Sequence, residues 1–569
     1  MTAAVTDASV DGGGLLDAAP GQMARDALVV TACTLLSRLT GFVRVLVAAA
    51  VLSNGPLGDT YHAANMIPNL LFELVAGGVL QAVLVPTFVA ARRTDGDVGL
   101  GDAAGAVAGV LTAALSVVAA VVILVSPLLA WALTALEDDA ALVADKRNLI
   151  TPMLIVFVPQ IVFYGIGMVT TAALAARGRF AAAALAPAVN NLVVIACYLA
   201  FSASRDGRAA SLDLDAAEFA WLVGGTTLAV VAFTAVPGIV LGMQGVRWWP
   251  TWQPGHPAVR SLRSSVRWAM LSVVGTLVPM GAAIVLGSGA PGGVAVFTIA
   301  FTFFVLPHAL IAVPVATALA PRVADAWQRR RTHDTADLVE RSVQVVVPML
   351  LLGAAGMVSL SWPIARVVGS IGQAGSQGTA PIAHAIAVFG VSLVGYGVAF
   401  VMTRVLFGLG DVRRAAQLVS ASAVAGVVVM TIAAAVMVDG ERAAALALGY
   451  GAAQMVSAVL LGARVRRLLG VPTWSGLGRL SVGSLVAAVV ASATMFAVQQ
   501  ALPVDRAGSM VAIVVAGPLG IAAFLAAARP LAGLSPSMLV LRGVVSRGQQ
   551  PVTRMHPDRG STPGTPDER

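Results

Sequence analysis

Residues 27–52 read ALVVTACTLLSRLTGFVRVLVAAAVL, a stretch in which only Arg38 and Arg44 are charged. At about 1.5 Å per helical residue, this run is long enough to cross the roughly 30 Å hydrocarbon core of a bilayer. Similar runs recur as far as Arg529, in a chain of 569 residues that is 58% hydrophobic and 11% charged. Soluble domains carry roughly 25% charged residues. The composition therefore predicts a polytopic membrane protein and excludes a soluble globule.

The apolar runs between charged and turn residues predict about fourteen transmembrane helices. The predicted spans are 27–52, 61–90, 104–133, 149–175, 181–201, 219–242, 266–287, 293–320, 343–368, 381–409, 415–437, 443–462, 480–502 and 508–529. Most arginines fall in alternate loops, whereas the other loops carry acids such as Asp138, Asp213 and Asp439. By the positive-inside rule, both termini and the arginine-rich loops are expected in the cytoplasm. The sequence pI of about 10.4 is then a consequence of topology, and no nucleic-acid partner is expected.

Similar motifs recur at corresponding positions in the two parts of the chain and predict an internal duplication. Span 2 ends in 85–88 (VPTF) and span 8 in 320–323 (APRV), while spans 4 and 10 end in 171–179 (TAALAARGR) and 403–411 (TRVLFGLGD). The expected fold is an all-α polytopic membrane protein with two six-helix lobes in parallel repeat plus two C-terminal helices. The predicted segments are a cytoplasmic tail 1–26, a first lobe 27–242, a cytoplasmic linker 243–265, a second lobe 266–463, two further helices within 464–530, and a largely disordered cytoplasmic tail 531–569.

Two arginines in the first span, Arg38 and Arg44, point to a function inside the membrane. A central arginine costs roughly 2.5 to 3.5 kcal/mol on insertion scales, so it is expected to face protein or water. The two residues lie about 9 Å apart along the helix, and each guanidinium could bind different oxygens of a polyphosphate. Pairing with acids for purely structural reasons is the alternative.

Span 2 carries the nearest buried acid, Glu73, one helical turn beyond Asn69. Glu73 could neutralise one of the arginines of the preceding helix, titrate as a coupling proton site, or fix helix packing. Arg404 in span 10 is a third buried cation, with either a functional role or a side chain that reaches the interface. Asn190, Asn191 and Gln160 could line a cavity, but interhelical hydrogen bonds are the more common role for such residues.

The sequence carries no pattern that predicts catalysis, a cofactor or a metal. The six histidines lack metal-ligand spacing, and a phosphate loop is excluded because Lys146 is the only lysine. Cys33 and Cys197 lie in separate apolar spans and suggest no disulfide framework. A transporter rather than an enzyme is expected.

Several motifs closely resemble the signature of the MurJ (MviN) lipid II flippase family of the MOP exporter superfamily. They are 37–44 (SRLTGFVR), 58–61 (GDTY), 67–71 (IPNLL), 86–88 (PTF), 185–192 (LAPAVNNL) and 404–411 (RVLFGLGD). The resemblance implies a multi-pass protein of the cytoplasmic membrane with a central cationic cavity and a groove for a polyprenyl tail at helices 13 and 14. It implies alternating-access transport of lipid II, with membrane lipids and cell-wall synthesis or regulatory proteins as further partners.

Arg38, Arg44 and Asp59 match positions that the family requires, and with Asn69, Glu73 and Arg404 they form the predicted substrate site. Other positions depart from the family pattern and resemble an actinobacterial branch. Phe72-Glu73 stands where many members have two arginines, and Thr302 replaces an arginine of span 8. Spans 7 and 11 lack the aspartates of a sodium site. A MATE-like or polysaccharide-lipid exporter and a non-transporting scaffold remain the alternatives.

Overall fold

The protein folds as a bundle of long helices in a computed structural model, which describes residues 20–52, 55–76, 79–208, 210–369, 379–470 and 477–532. Within these ranges the chain forms helices, turns and loops and no β-strand. The helices are α1 (Pro20–Leu52), α2 (Pro56–Ala76), α3 (Val79–Leu124), α4 (Ser126–Leu133), α5 (Ala140–Phe157), α6 (Gln160–Ala176), α7 (Ala181–Ser204), α8 (Ala216–Phe219), α9 (Gly225–Met243), α10 (Pro257–Gly287), α11 (Gly293–Gln328), α12 (Thr332–Ser359), α13 (Ser361–Gly369), α14 (Thr379–Gly408), α15 (Val412–Val436), α16 (Arg442–Leu469), α17 (Leu477–Gln500) and α18 (Arg506–Ala532).

The all-α membrane fold predicted from the sequence is confirmed. Among the described residues, 12 helices are long and apolar enough to cross a membrane, and Val273–Gly287 is a shorter apolar helix. The helix α3 contains a non-helical kink at Asp95 and Gly96, so it supplies the end of predicted span 2 and most of span 3. The number of about fourteen therefore agrees approximately with the structure.

Both ends of the chain extend beyond what the structure describes. The first helix begins at Pro20, earlier than the predicted start at residue 27. The remainder of the N-terminal tail, Gly77-Gly78, and the tail after residue 532 lie outside the described residues. The segment boundaries proposed from the sequence remain a prediction.

Loops that the sequence assigned to the same side of the membrane meet in the structure. Arg177, after α6, pairs with Asp97 of α3 at 2.9 Å and donates to the backbone oxygen of Gln244 after α9 at 3.5 Å. Arg464 of α16 pairs with Asp411 before α15 at 2.7 Å. We call the side that bears these residues the arginine-rich side. Its assignment to the cytoplasm stays a prediction.

We call α1 to α9 the first half of the chain and α10 to α18 the second half. The opposite side, which we call the acidic side, is closed by contacts between these halves. A Cβ atom on Gly289 would lie 3.2 Å from the Cβ of Leu136 in the first half. Next to Leu136, Glu137 forms an ion pair with Lys146, which is 4% exposed. Glu137 compensates part of the free-energy cost of removing the lysine charge from water.

Each half has its own buried core, and the two cores meet where Ala49 of α1 joins the second-half core and Val294 of α11 joins a first-half core. Phe157 and Phe201 belong to a core in the first half, whereas Phe304 and Phe389 belong to a core in the second half. The bridging helix α10 has its first turns in a first-half core, and its later turns join the second-half core. The last two helices pack beside α12 and α13, where Leu360 meets residues of α17 and α18.

Close helix packing depends on small residues, as expected where lipid removes the hydrophobic drive for helix association. A Cβ atom on Gly426 of α15 would lie 2.3 Å from the Cβ of Ala453 in α16. A Cβ atom on Gly449 of α16 would likewise lie 2.2 Å from the Cβ of Met430 in α15. The pair α15 and α16 is therefore tightly fitted within the second half.

Candidate functional site

A cavity of about 240 Å³ lies within the helix bundle between the two halves of the chain. Helices α1, α2, α6, α7 and α9 of the first half surround it, and α11 of the second half closes it. Its polar lining consists of Arg44, Tyr61, His62, Asn65, Asn69, Gln160, Tyr164, Asn190, Tyr198, Thr226, Thr298 and Thr302. Its apolar lining consists of Val45, Ala48, Met66, Val194, Val230 and Ile299.

Arg44 supplies the positive charge of this cavity. It is the single Lys or Arg among the described lining residues, which include no Asp or Glu. The side chain is half-buried, and no carboxylate of the described residues lies within 4 Å of it. A guanidinium without a paired acid, inside a membrane-spanning helix, is a site for an anion.

Asn69 reaches the cavity one turn before Glu73 on α2. Its Nδ2 donates to the backbone oxygen of Asn65 at 2.8 Å, and the Tyr164 hydroxyl lies 3.5 Å from its Oδ1. The Tyr164 ring stacks on Phe72 with centroids 4.1 Å apart. These contacts hold the Asn69 amide in place at the cavity wall.

Three polar atoms at the cavity are buried without a hydrogen-bond partner among the described residues. They are Oε1 of Gln160, Oδ1 of Asn190 and Oγ1 of Thr298. A buried polar atom without a partner costs roughly 1 to 3 kcal/mol, so these atoms favour a guest that brings hydroxyl or N–H donors. The neighbouring Asn191 instead donates to the Ser37 backbone oxygen at 3.1 Å and links α7 to α1.

A hydroxyl network closes the cavity wall near the start of α2. The Tyr198 hydroxyl donates to the Tyr61 hydroxyl at 2.9 Å, and Tyr61 Oη lies 2.8 Å from Thr226 Oγ1. The Thr226 hydroxyl donates to the Leu222 backbone oxygen at 2.7 Å. Sequence reasoning missed these residues, since tyrosine and threonine in an apolar helix carry no strong signal on their own.

Arg38 does not line the cavity. It lies about 9 Å along α1 from Arg44, toward the arginine-rich side, and its side chain is exposed. Its charge is close enough to act on His308 of α11 in the second half. Arg38 and Arg44 therefore occupy two successive levels along the boundary between the halves.

Glu73 of α2 and Arg404 of α14 lie near that boundary. Their charges interact, and the guanidinium of Arg404 lies 5.1 Å from the centre of the Phe400 ring. The cation that acts on Glu73 thus comes from α14, whereas an arginine of the preceding helix α1 was one of the three roles that the sequence left open for Glu73. No ion pair within 4 Å joins Glu73 to a described residue.

Asp59 is buried near the acidic side and does not line the cavity. Its two carboxylate oxygens accept hydrogen bonds from the backbone N–H groups of Gly292, at 2.6 Å, and Ala295, at 2.9 Å. These groups form the N-terminus of α11, where an acid is stabilised by the unpaired N–H groups and the helix dipole. Asp59 therefore links α2 of the first half to α11 of the second half by two hydrogen bonds.

The structure thus brings two of the six predicted site residues, Arg44 and Asn69, into the cavity. It places Arg38, Glu73 and Arg404 at the boundary between the halves on the arginine-rich side, and Asp59 at the contact on the acidic side. A bundle of membrane-spanning helices with a cationic, polar cavity between two halves defines a polytopic transport protein.

Comparison with known protein families identifies which kind of transport protein this chain is. The family model described as lipid II flippase MurJ matches residues 48–515, and the chain belongs to this family. A probable lipid II flippase MurJ of Rhizobium meliloti (strain 1021) is 26% identical over 530 residues, covering 91% of this chain and 95% of the relative. A probable lipid II flippase MurJ of Rhizobium tropici is 28% identical over 384 residues, covering 67% and 69%. The chain is therefore a multi-pass inner-membrane protein.

Solved structures support the same fold. A lipid II flippase MurJ in an inward closed conformation matches with a TM-score of 0.68 and 14% identity, over 88% of this chain and 98% of that chain. An inward-facing multidrug resistance MATE family transporter of the MOP superfamily matches with a TM-score of 0.60 and 15% identity, over 78% and 98%. At these identities the likeness concerns the fold alone.

Proposed function

We propose that this protein moves lipid II, a polyprenyl-linked peptidoglycan precursor, from the inner to the outer leaflet of the cytoplasmic membrane by alternating access. The observation that carries this proposal is the cavity between the halves, where Arg44 stands without an acid among the described lining residues. A diphosphate would bind there by charge-assisted hydrogen bonds. The family of the chain names the same cargo.

The neutral polar lining suits the sugar part of such a cargo. Gln160, Asn190 and Thr298 each carry a buried atom that lacks a partner among the described residues. Sugar hydroxyl groups and N-acetyl amides would supply donors to these atoms. Satisfying buried polar atoms also favours a cargo that carries such donors over one that lacks them.

The cavity volume indicates how much of the cargo this conformation holds. Pockets for drug-sized ligands measure roughly 300 to 1,000 Å³, and the cavity measures about 240 Å³. Only a part of a disaccharide-peptide diphosphate would fit, so the two halves must separate to admit the rest. This requirement supports alternating access.

The boundary between the halves provides an approach path from the arginine-rich side. Arg38 and Arg404 contribute positive charge there and Glu73 contributes negative charge, so the path is net positive together with Arg44. An anionic headgroup would be attracted along it. In the proposed topology this side faces the cytoplasm, with both termini, and an inside-negative potential acts on moving charge at about 2.3 kcal/mol per 100 mV.

Loss and restoration of flipping in cells test the proposal. Cells depleted of the native protein, with no redundant flippase, should lose lipid II from the outer leaflet and recover it with the wild-type gene. Arg44→Ala should insert normally and fail to restore exposure, because the cavity loses its cation. Arg44→Lys should restore part of it, and Arg414→Ala, on the arginine-rich side away from the cavity, should restore all of it. Undiminished lipid II exposure after depletion would refute the proposal.

Export of cationic drugs, as by MATE-like proteins, fits the cavity less well. A cationic drug would be repelled by the one arginine of the described lining residues, which include no acid to neutralise a cation. A scaffold without transport has no use for a buried arginine, which costs free energy to insert.

A further inference from the structure

The linker between α9 and α10 lies along a stripe of glycines on α3 in an extended conformation. A Cβ atom on Gly101 would lie 2.4 Å from the backbone oxygen of Arg247, which is too close for any side chain. The same holds for Gly105, 2.6 Å from the backbone oxygen of Trp249, and for Gly109, 2.1 Å from that of Thr251. The backbone N–H of Thr251 donates to the Gly105 oxygen at 2.9 Å. Glycines at such spacing usually admit a second helix, but here they admit the backbone of the linker.

The register of these contacts gives the depth of the linker. After Asp102, α3 has no charged residue from Ala103 to Leu124, and this apolar stretch is about 33 Å long, close to the hydrocarbon thickness of a bilayer. Gly105 and Gly109 lie about 5 and 10 Å beyond Asp102 along the helix. The linker therefore descends from the arginine-rich side to about 10 Å past the last charged residue of α3, within the end of its apolar stretch.

Two tryptophans point outward from the linker at this depth. Trp249 is 79% exposed and Trp252 is 67% exposed, whereas Trp248 is half-buried and donates from Nε1 to the Gly238 backbone oxygen at 3.3 Å. Tryptophan is enriched at the membrane interface, where its apolar ring meets lipid and its N–H meets headgroups. Three of the chain's 9 tryptophans lie within residues 248–252.

The charge around these rings is positive. From residue 244 to 270 the chain contains four arginines, at positions 247, 260, 263 and 267, and no Asp or Glu. Arg247 and Arg260 are exposed and flank the tryptophans along the chain. Among the acids of α3 nearby, Asp97 is half-buried and pairs with Arg92 and Arg177, whereas Asp95 and Asp102 are exposed.

We propose that the linker is a lipid-binding segment that places Trp249 and Trp252 where headgroups meet acyl chains in the leaflet of the arginine-rich side, and that it prefers anionic lipids through Arg247 and Arg260. The occupant of this surface is the bilayer itself. A water-exposed loop would not leave two large rings outside the protein at the level of the apolar layer of α3. The inference does not depend on which cargo the protein carries.

This binding would tie the first half of the protein to one leaflet. The linker is the covalent connection between the two halves, and it is fitted to α3 along about 12 Å from Gly101 to Gly109. The first turns of α10 continue the attachment, since Ala258, Val259 and Leu262 are buried against α3 residues. Lipids at the linker would thus hold the first half while the second half moves.

Fluorescence of the full-length protein in vesicles tests the depth. The emission of Trp249 and Trp252 is obtained as the difference between wild type and the double variant Trp249→Phe/Trp252→Phe. In phosphatidylcholine vesicles with brominated acyl chains this difference signal should be quenched more strongly than by aqueous iodide. The matched control is Trp248→Phe, whose difference signal reports a ring packed against α9 and should be quenched less. A difference signal from Trp249 and Trp252 that iodide quenches and brominated lipid does not would overturn the proposal.

Phosphatidylglycerol titration tests the charge preference. The lipid should raise the melting temperature of the purified protein, and Arg247→Gln and Arg260→Gln should each raise the half-maximal lipid concentration by roughly fivefold. Arg414→Gln, an exposed arginine on the same side, is the control and should behave as wild type. Equal midpoints for the linker variants and this control would overturn the preference for anionic lipid.

Discussion

Replacing Asp59 with asparagine should shift the protein away from the conformation described here. The Asp59 carboxylate accepts from Gly292 N–H at 2.6 Å and Ala295 N–H at 2.9 Å, and these bonds join the two halves on the acidic side. An asparagine is the same size but offers one acceptor oxygen and no charge. One of the two N–H groups would then face the NH2 group of the amide.

The magnitude follows from these two bonds. A hydrogen bond to a charged group contributes roughly 1.5 to 3 kcal/mol, and an acid at a helix N-terminus contributes roughly 0.3 to 2 kcal/mol in interaction with the dipole. Allowing for the acceptor that remains, Asp59→Asn should lose about 2 kcal/mol from the closed acidic side. This corresponds to a shift of roughly 30-fold in the equilibrium between closed and open forms.

Distances between spin labels across the acidic side measure this shift. Labels at Asp138 in the first half and Val438 in the second half, both exposed, are introduced in a background without the two native cysteines. Asp59→Asn should increase the population at long distances, and Asp145→Asn, which removes a charge from the same side without breaking a bond between the halves, should not. Identical distance distributions for wild type and Asp59→Asn would refute the role of Asp59 as a fastener.

The remaining predictions concern the boundary charges and the topology. If Glu73 acts as a partner of a cation, Glu73→Gln should retain more lipid II flipping than Arg44→Ala, and the pH dependence of flipping should change little. If Glu73→Gln instead binds cargo but no longer flips it uphill, Glu73 is a proton carrier. Because the charge of Arg404 acts on Glu73, Glu73→Arg should reduce flipping and Glu73→Arg/Arg404→Glu should recover part of it, whereas equal losses in the single and double variants would contradict this pairing. A cysteine at Asp213 should react with an impermeant thiol reagent in intact cells and one at Arg331 should not, and the reverse pattern would invert the proposed topology.

Much of the fold could be predicted because the bilayer imposes a simple rule on the sequence. A segment that crosses the apolar layer must be a helix and must be apolar, so the runs of hydrophobic residues coincide with helices. The kink at Asp95 and Gly96, the break before Gln160 and the break at Leu360 were not resolved, since hydropathy averages over a window and does not detect a local change in backbone direction. The early start of α1 at Pro20 was missed for a related reason, because a helix can continue into water beyond its apolar part.

The candidate site was predictable where burial makes a residue costly. Arg44 and Asn69 were found because a charge or an amide in an apolar helix requires a partner or water. The partners were not predictable, since they depend on which helices meet. The N–H group that Asp59 binds lies 233 residues away in the chain, and the cation whose charge acts on Glu73 comes from α14. The three unpartnered polar atoms at the cavity likewise become visible only in three dimensions.

The burial of Lys146 has a practical consequence for experiments on this protein. It is the only lysine in the chain, it is 4% exposed, and it pairs with Glu137, beside the Leu136 that contacts Gly289 of the other half. Amine-reactive reagents should therefore modify the folded chain at this side chain only when the acidic side opens. The modification rate of Lys146, read by peptide mapping, is a native single-site reporter of that opening in the unmutated protein.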